Sequence, residues 1–530
     1  MFHPIRVIKS LAMKWIDGRK FLALMTFHML WGLVLWFSIS KYGLGISTDS
    51  VPLLFGGLNL SLGRGLISFD GSRVLLWPPL YPVLLAFIHR LSGLDMFVSA
   101  TVLQAAAFVC ISFCLSLLFL KIFPGNFLFA FAANLLSDVG VVVITGFNMV
   151  GSDYVHLAFV ILFIWLTGVY LEKNSPRILV AIVVVGMLAM LQRYLGIAVI
   201  GTGVLMVFFF SAGTLDQRIG RGLLVLMAAL PSGVWLFITS QLLERRSPIT
   251  FAENFTWFSK SVLQWFFPAD ALKAHLGLYI IFLWMIIFGL VLLLFLGPSP
   301  HIFFTSYALP VFVFDALYCF ALFGSASVTY YNKLGGRFLL PLYIPFVTLL
   351  TVGLDNLLRL VRSWRAPSLR RVVSASLVGT LLIVVALLFQ VSMPVILDSY
   401  ANGTSGGENA FNTAAWHENK TIQYWLTHQP QGQYLLFSNY PDGVAFYTGH
   451  SCNRSPVKYS GPYGKEEFPL SQYASELFPA GQPVYIIWIE PNNYSYFYKV
   501  EELSSIAQVD PLFVGGDGGV YRLKLLSGSQ

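Results

Sequence analysis

Residues 47–93 read STDSVPLLFGGLNLSLGRGLISFDGSRVLLWPPLYPVLLAFIHRLSG. An acid, Asp49, stands a few residues beyond the first apolar run of the chain. Val51 to Leu62 suits a helix lying in the membrane interface. Gly63-Arg64-Gly65 and a turn at Asp70-Gly71 follow. Trp77-Pro78-Pro79-Leu80-Tyr81-Pro82 makes a rigid aromatic corner of the kind that settles at headgroup level. The segment reads as a large, semi-apolar loop between membrane helices, spanning 41–95.

Composition agrees. Of 530 residues 56% are hydrophobic and 11% charged, against about 45–50% and 25% in soluble chains. A soluble enzyme, a disordered chain and a coiled coil are excluded, and a polytopic membrane protein is left. The net charge of +8 is read as a topology signal on the cytoplasmic side, with no nucleic-acid partner. Cys110, Cys114 and Cys319 lie in apolar runs and Cys452 is alone in a polar region, so no intramolecular disulfide is expected.

The first run, Phe21 to Ser40, follows five basic residues and suits an uncleaved first helix better than a signal peptide. Ten further runs lie near 96–120, 126–148, 154–171, 178–192, 195–211, 222–240, 276–297, 302–323, 338–358 and 373–393, giving about eleven transmembrane helices. With the N-terminus cytoplasmic, the inner segments hold fifteen Lys and Arg and the longer outer segments eleven, the bias that the positive-inside rule requires. An odd helix count places the C-terminal region outside. The division expected is 1–393 as the membrane domain and 394–530 as an extracytoplasmic α/β domain. That domain carries a helix-like stretch over 412–427 and strand-like runs at Gln433–Asn439, Val484–Glu490 and Gly518–Leu525.

Walker A, HExxH and paired CxxC patterns are absent, and the inner loops are too short for a nucleotide-binding domain. Chemistry, if any, faces outward. At this point the motifs resemble a family. Asp49 after the first helix, then Gly63-Arg64-Gly65, then the Trp77–Pro82 corner, are similar to membrane glycosyltransferases of the GT-C superfamily. The branch is that of protein O-mannosyltransferases and the aminoarabinose transferase of lipid A. Gly151-Ser152-Asp153, Gln192-Arg193-Tyr194-Leu195-Gly196 and the stretch from Gly336-Arg337-Phe338 to Tyr343 resemble further steps of that pattern. Ser438-Asn439-Tyr440-Pro441-Asp442 resembles a strand end of the trailing domain. The resemblance runs from about residue 21 to 450.

It implies a transferase that takes a sugar from a polyprenyl-phosphate donor and passes it, with inversion, to a glycan, lipid or protein acceptor at the extracytoplasmic face. Such an enzyme would sit in the plasma (inner) membrane, and short inner loops without organelle signals favour a bacterial one. The chemistry needs a base for the acceptor proton and cations for the leaving phosphate. Asp49 is the candidate base and Asp153 the second acid. Arg193 and Arg337 are candidates for the phosphate, since a guanidinium donates bidentately to such oxygens. Arg64 is read for the donor phosphate or for lipid headgroups. Trp77, Tyr81, Tyr330 and Tyr331 are candidates for the substrate cavity. Blander roles stay open: Asp49 and Asp153 as helix caps, Arg193 and Arg337 as snorkelling residues. Many family members carry two adjacent acids where Asp49 is flanked by Thr48 and Ser50. No cofactor is assigned, and a divalent metal stays open.

Asp138 and Asp315 fall inside expected spans, where an ionisable group points to function by default. His275 reads as interfacial. Trp257 and Trp265 suit either a cavity or an interfacial belt. Asn-x-Ser/Thr triplets at Asn59, Asn254, Asn402, Asn419, Asn453 and Asn493 are weak signals. Two competing readings are an O-antigen polymerase or ligase-like protein and a lipid-linked-sugar transporter or flippase. The first should depend on arginines in a late outer loop and the second on midplane groups such as Asp315.

Overall fold

Each apolar run folds as a helix. The computed structural model describes residues 17–240, 250–296, 305–327, 334–362, 366–404, 410–459, 466–473, 477–478, 482–491 and 494–525. Tyr330 and Tyr331 lie outside them. In chain order the helices of eight or more residues are α1 (Gly18–Ile39), α2 (Ser50–Ser61), α3 (Leu80–Ser92), α4 (Met96–Ile122), α5 (Phe127–Asp138) and α6 (Val141–Asn148). Then come α7 (Ser152–Lys173), α8 (Pro176–Gln192), α9 (Ile197–Phe210), α10 (Leu215–Leu226), α11 (Leu230–Ser240) and α12 (Phe251–Leu263). The last are α13 (Leu276–Leu296), α14 (Ala308–Ala326), α15 (Leu340–Arg362), α16 (Pro367–Asn402), α17 (Lys420–Thr427) and α18 (Pro441–Thr448).

Among the described residues seven helices are long and apolar enough to cross a membrane, or eight when α5 and α6 count as one bent span. The runs at 178–192, 195–211 and 276–297 give the shorter apolar helices Pro176–Gln192, Tyr194–Phe210 and Leu276–Leu292. At 1.5 Å per residue a 17-residue helix covers about 26 Å, just under the hydrocarbon thickness. Caps follow local chemistry. Thr214 with Gln217 and Thr250 with Glu253 form capping boxes at the starts of α10 and α12. Asn174 ends α7 in the left-handed region at φ 50°.

The chain divides into two compact units. One comprises Met1–Ser40, Leu75–Tyr81 and Val98–Tyr400. It holds the bundle, and its most informative feature is the break between α5 and α6, where the axis bends by 50°. A broken helix frees carbonyls that hydrocarbon cannot satisfy. Here three side chains from three other helices take them. Trp31 Nε1 donates to the Asp138 carbonyl at 3.1 Å, Tyr343 Oη to Leu136 at 2.6 Å and Ser392 Oγ to Val139 at 2.5 Å.

Asp138 itself is buried against His28, with Nδ1 2.6 Å from its carboxylate. His28 Nε2 lies 2.9 Å from Asn134 Oδ1. Asn134 Nδ2 donates to Ala130, which turns its Oδ1 to the imidazole. Nε2 therefore carries a proton, the other proton of the pair lies between Nδ1 and the carboxylate, and the unit is neutral overall. That disposes of Asp138 as an isolated charge at membrane depth. Asp315, half-buried on α14, forms no ion pair among the described residues.

Gly140 begins α6, and its φ of −64° needs no glycine. The Tyr343 ring needs one, because a Cβ at residue 140 would overlap its hydroxyl end. Gly140→Ala should cost about 1–3 kcal/mol as an overpacking change, read as a lower melting temperature of the purified protein in detergent. An unchanged melting temperature would mean that Tyr343 can move aside freely.

The second unit comprises Lys41–Val74, Pro82–Phe97 and Ala401–Gln530. Its sheet has the order β2-β1-β3-β5-β4, with β1 Leu435–Ser438, β2 Asn453–Arg454, β3 Val484–Ile489, β4 Ala507–Gly515 and β5 Gly518–Leu525. β1 pairs parallel to β2 and β3, while β5 runs antiparallel to β3 and β4. All six residues of β3 are buried, as a central strand covered on both faces requires. Phe437, Val484, Ile486, Trp488, Leu503 and Leu523 anchor the core on one side, and α17 packs on the sheet with Ile422 and Trp425 buried.

The first loop joins this unit through backbone groups. Phe411 N–H donates to the Ile46 carbonyl at 2.8 Å. Asn412 Nδ2 donates to the carbonyls of Tyr42 and Leu44, the latter at 2.9 Å. The stretch 412–427 forms two short helices, Ala414–His417 and α17, and the expected strands appear as β1, β3 and β5.

Candidate active site

The predicted residues fall in both units. Trp77, Tyr81, Asp153, Arg193 and Arg337 belong to the first, Asp49 and Arg64 to the second.

In the first unit the organising element is the break between α8 and α9. The helix stops at Arg193, which is extended at φ −152° and ψ 140°. The turn Tyr194–Gly196 follows. Gly196 is required there, because a Cβ would meet the backbone of Ala189 and Met190. The break swings Arg193 to the start of α7. Its Nη1 donates to the Asp153 carboxylate and, at 3.4 Å, to Ser152 Oγ. Gln192 Nε2 donates to the Ser152 carbonyl at 3.2 Å and fixes the two helix ends together. Both charged side chains are mostly buried, each 16% exposed. No side chain caps α7, so Asp153 serves as an ion-pair partner in its first turn and not as a cap.

Arg337 is on a short 3-10 turn, Gly336–Leu339, leading into α15. Gly336 has φ 49°, the left-handed region, which sets up that turn. The Arg337 guanidinium lies 5.5 Å and that of Arg193 5.7 Å from the centre of the Phe338 ring, within cation–π range. The Phe338 carbonyl accepts from Tyr318 Oη at 2.9 Å, which holds the turn on α14. Arg193, Arg337 and Asp153 are thus brought together around Phe338, a residue within the quoted Gly336–Tyr343 stretch but given no role by the sequence.

Tyr81 is fully buried, with its hydroxyl at the Gly151 backbone and close enough to Asp153 to feel its charge. Burial pushes the phenol pKa above its ordinary value against the pull of a Gly151 backbone hydrogen bond, and Asp153 adds a smaller push upward. Trp77 is half-buried at the bend before α3. The Asp153–Arg193 pair sits at the amino end of a 22-residue helix, whose unpaired N–H groups favour an anion.

In the second unit Asp49 precedes α2. Its backbone is already helical at φ −74° and ψ −27°, and its side chain makes no capping hydrogen bond. The serines on either side take that work: Ser47 N–H donates to Ser50 Oγ at 3.0 Å and Ser50 N–H to the Ser47 carbonyl at 3.0 Å. The capping role expected as the bland alternative is therefore filled by neighbours. Asp49 is half-buried, and Arg64, after the end of α2, is exposed. Asn59 is used locally, donating to the Ile67 carbonyl at 2.8 Å.

Asp442, in the quoted Ser438–Asp442 stretch but unassigned from sequence, lies within electrostatic reach of Asp49. The signal available was an acid directly after a proline at a strand end. His275 is exposed, and Trp265 is buried against Tyr343 and Phe346. Among the described residues no three His, Cys, Asp or Glu side chains converge as metal ligands.

Comparison with known proteins gives structure and not sequence. No family model matches the chain, and no curated protein matches it. Solved structures do. ArnT from Cupriavidus metallidurans bound to undecaprenyl phosphate superposes with a TM-score of 0.58 at 12% identity, over 94% of this chain and 97% of that one. The apo form of ArnT gives the same TM-score and identity. Arabinofuranosyltransferase AftD from Mycobacteria gives 0.56 at 11% identity, over 98% of this chain and 40% of that one. The apo oligosaccharyltransferase from Archaeoglobus fulgidus gives 0.52 at 12% identity, over 90% and 70%. The architecture of this polytopic chain, helical bundle and trailing sheet together, is the GT-C fold of membrane glycosyltransferases.

Proposed function

We propose that this protein is a multi-pass membrane glycosyltransferase that transfers a sugar from a polyprenyl-phosphate donor to an acceptor hydroxyl at the extracytoplasmic face, with inversion. One observation carries the reading: nearly the whole chain superposes on nearly the whole of an enzyme captured with undecaprenyl phosphate. The arginines supply the second support, since two guanidiniums stand on either side of Phe338 in the stretches that the residue pattern expects at a phosphate site.

The chemistry follows from the roles. The acceptor hydroxyl oxygen attacks the anomeric carbon from the side opposite the phosphate. The carbon–oxygen bond to phosphate breaks, and polyprenyl phosphate leaves with the electron pair. Asp49 accepts the hydroxyl proton. Arg193 and Arg337 hold the phosphate oxygens as their charge grows, with Asp153 aiming Arg193. Donors aimed where charge develops act strongly because they are preorganised. Tyr81 and Trp77 line the substrate cavity. Arg64 meets headgroups or the donor phosphate from the loop. The orientation is N-terminus cytoplasmic and C-terminal domain outside, in a plasma membrane of bacterial type.

The test is turnover by the purified protein. A panel of polyprenyl-phosphate sugars is supplied with an extract of envelope acceptors, with and without chelator, and release of free polyprenyl phosphate is followed. Acceptor-stimulated release from at least one donor is the expected result. No release from any donor, with the protein folded, would overturn the reading, and loss with chelator would add a metal to the site.

A further inference from the structure

The parallel part of the sheet has the strand order of a ligand crevice. From β1 the chain goes outward to β2 on one side and later to β3 on the other. Strands leaving in opposite directions open a crevice at their carboxyl ends, and that is where ligands bind in open α/β sheets. Here Asn439, just past β1, closes the floor of the crevice. Its Nδ2 donates to the Ile489 carbonyl and its Oδ1 accepts from the Ile489 N–H, both at 2.9 Å. The same edge carries Asp442 in the first turn of α18 and Arg454 at the end of β2, where Arg454 pairs in register with Ser438. α18 packs on α2, the helix that Asp49 precedes.

Three tyrosines line the rim. The Tyr440 ring lies 5.0 Å from Tyr494, and Tyr494 lies 5.4 Å from Tyr496. Tyr494 and Tyr496 are half-buried, so each leaves part of a ring face open. Tyr496 feels the charges of Arg454 and Asp442, which places rings, carboxylate and guanidinium in one neighbourhood. Arg454 is exposed and forms no ion pair among the described residues.

Charge selects the ligand. Asp442 is pushed up to about 6, by burial first, with Asp70 and Asp49 raising it against the pull of Arg454. Among the charged groups that act on Asp442 the carboxylates outnumber the guanidinium, which disfavours a phosphate there. A neutral polyol fits. A carboxylate accepts from neighbouring hydroxyls, a guanidinium donates to the next oxygen, and the C–H face of a pyranose lies flat on an aromatic ring. A few placed polar groups on an apolar wall are what small-molecule sites consist of.

We infer that the crevice at the ends of β1, β2 and β3 binds a neutral sugar through Asp442, Arg454 and the Tyr440–Tyr494–Tyr496 rim, and presents a hydroxyl of it toward Asp49. As the acceptor site of the transferase the inference rests on the function proposed above. As a sugar site it stands on the crevice alone.

The experiment uses the full chain in detergent and saturation-transfer NMR with neutral methyl hexopyranosides, a hexose phosphate serving as the anionic comparison. Saturation should reach at least one neutral glycoside. Binding should fall about tenfold in Tyr496→Ala and in the exposed-residue variant Arg454→Gln, the size of effect that loss of one anchor gives. Tyr496→Phe should retain most of it. No transfer to any neutral glycoside, equal binding by wild type and both variants, or preference for the hexose phosphate would each overturn the inference. Polyprenyl phosphate binding, measured on the same preparation by native mass spectrometry, bears on the transferase reading alone.

Discussion

Asp49→Asn should lower acceptor-dependent release of polyprenyl phosphate by about 10²–10⁴-fold, the contribution of a positioned general base. The substitution keeps size and shape and removes the proton acceptor. It should leave the fold intact, because the Asp49 side chain makes no capping bond to α2 and Ser47 and Ser50 hold the start of that helix. Donor KM should change little, since the base acts on the acceptor in the transition state. The checks are a kcat comparison at saturating donor and a melting curve of the same sample. A kcat within a few-fold of wild type would remove Asp49 from the role of base and leave the transferase class standing. A loss of kcat with a lowered melting temperature would assign the residue a structural role instead.

The second large effect concerns Asp153 and Arg193. Either single truncation leaves a mostly buried charge without its partner, and such losses cost about 3–5 kcal/mol. The double variant Asp153→Ala/Arg193→Ala removes both charges and should be more stable than at least one of the singles. A double-mutant cycle by thermal unfolding reads this directly. Activity should separate the roles. Asp153→Asn keeps Arg193 in place but less firmly aimed, whereas Arg193→Ala removes a phosphate donor group and should raise donor KM and lower kcat together. Additive losses in the cycle would mean that the pair is not coupled and that Asp153 does not position Arg193.

Much of this was legible in the chain. Apolar runs of spanning length announce helices because backbone groups in hydrocarbon have no other partner. The break at Gln192–Gly196 was visible as an arginine between two apolar runs. The strand-like runs Gln433–Asn439, Val484–Glu490 and Gly518–Leu525 announced three strands. The nine-residue strand Ala507–Gly515 was not visible, because Pro511 interrupts it and the register shifts between Pro511 and Phe513. A proline inside a run argues against a strand unless a bulge accommodates it. α18 was hidden by its shortness, and β2 has only two residues.

The site was legible in part. Arg193, Arg337 and Asp153 were found as charges at helix ends on one expected face. Phe338, which both guanidiniums approach, was not, because a phenylalanine at the start of an apolar helix carries no chemical signal. The packing of the first loop with Ala401–Gln530 was also invisible. It depends on hydrogen bonds from the Phe411 N–H and the Asn412 side-chain amide to carbonyls more than 360 positions earlier, and long-range pairing of that kind leaves no local trace.

The bent segment at Val139–Gly140 has a consequence for biosynthesis. Its carbonyls are taken by residues 31, 343 and 392, so the donors emerge from the ribosome at very different times. Trp31 is in the membrane before the bend exists. Tyr343 and Ser392 follow after most of the chain has been inserted. Until then two amide oxygens of the bend lack their final protein donors. The bundle therefore closes late, and its last helix is the latch: a nascent chain arrested before Ser392 should be held open at this point, vulnerable to a membrane protease that the finished protein resists.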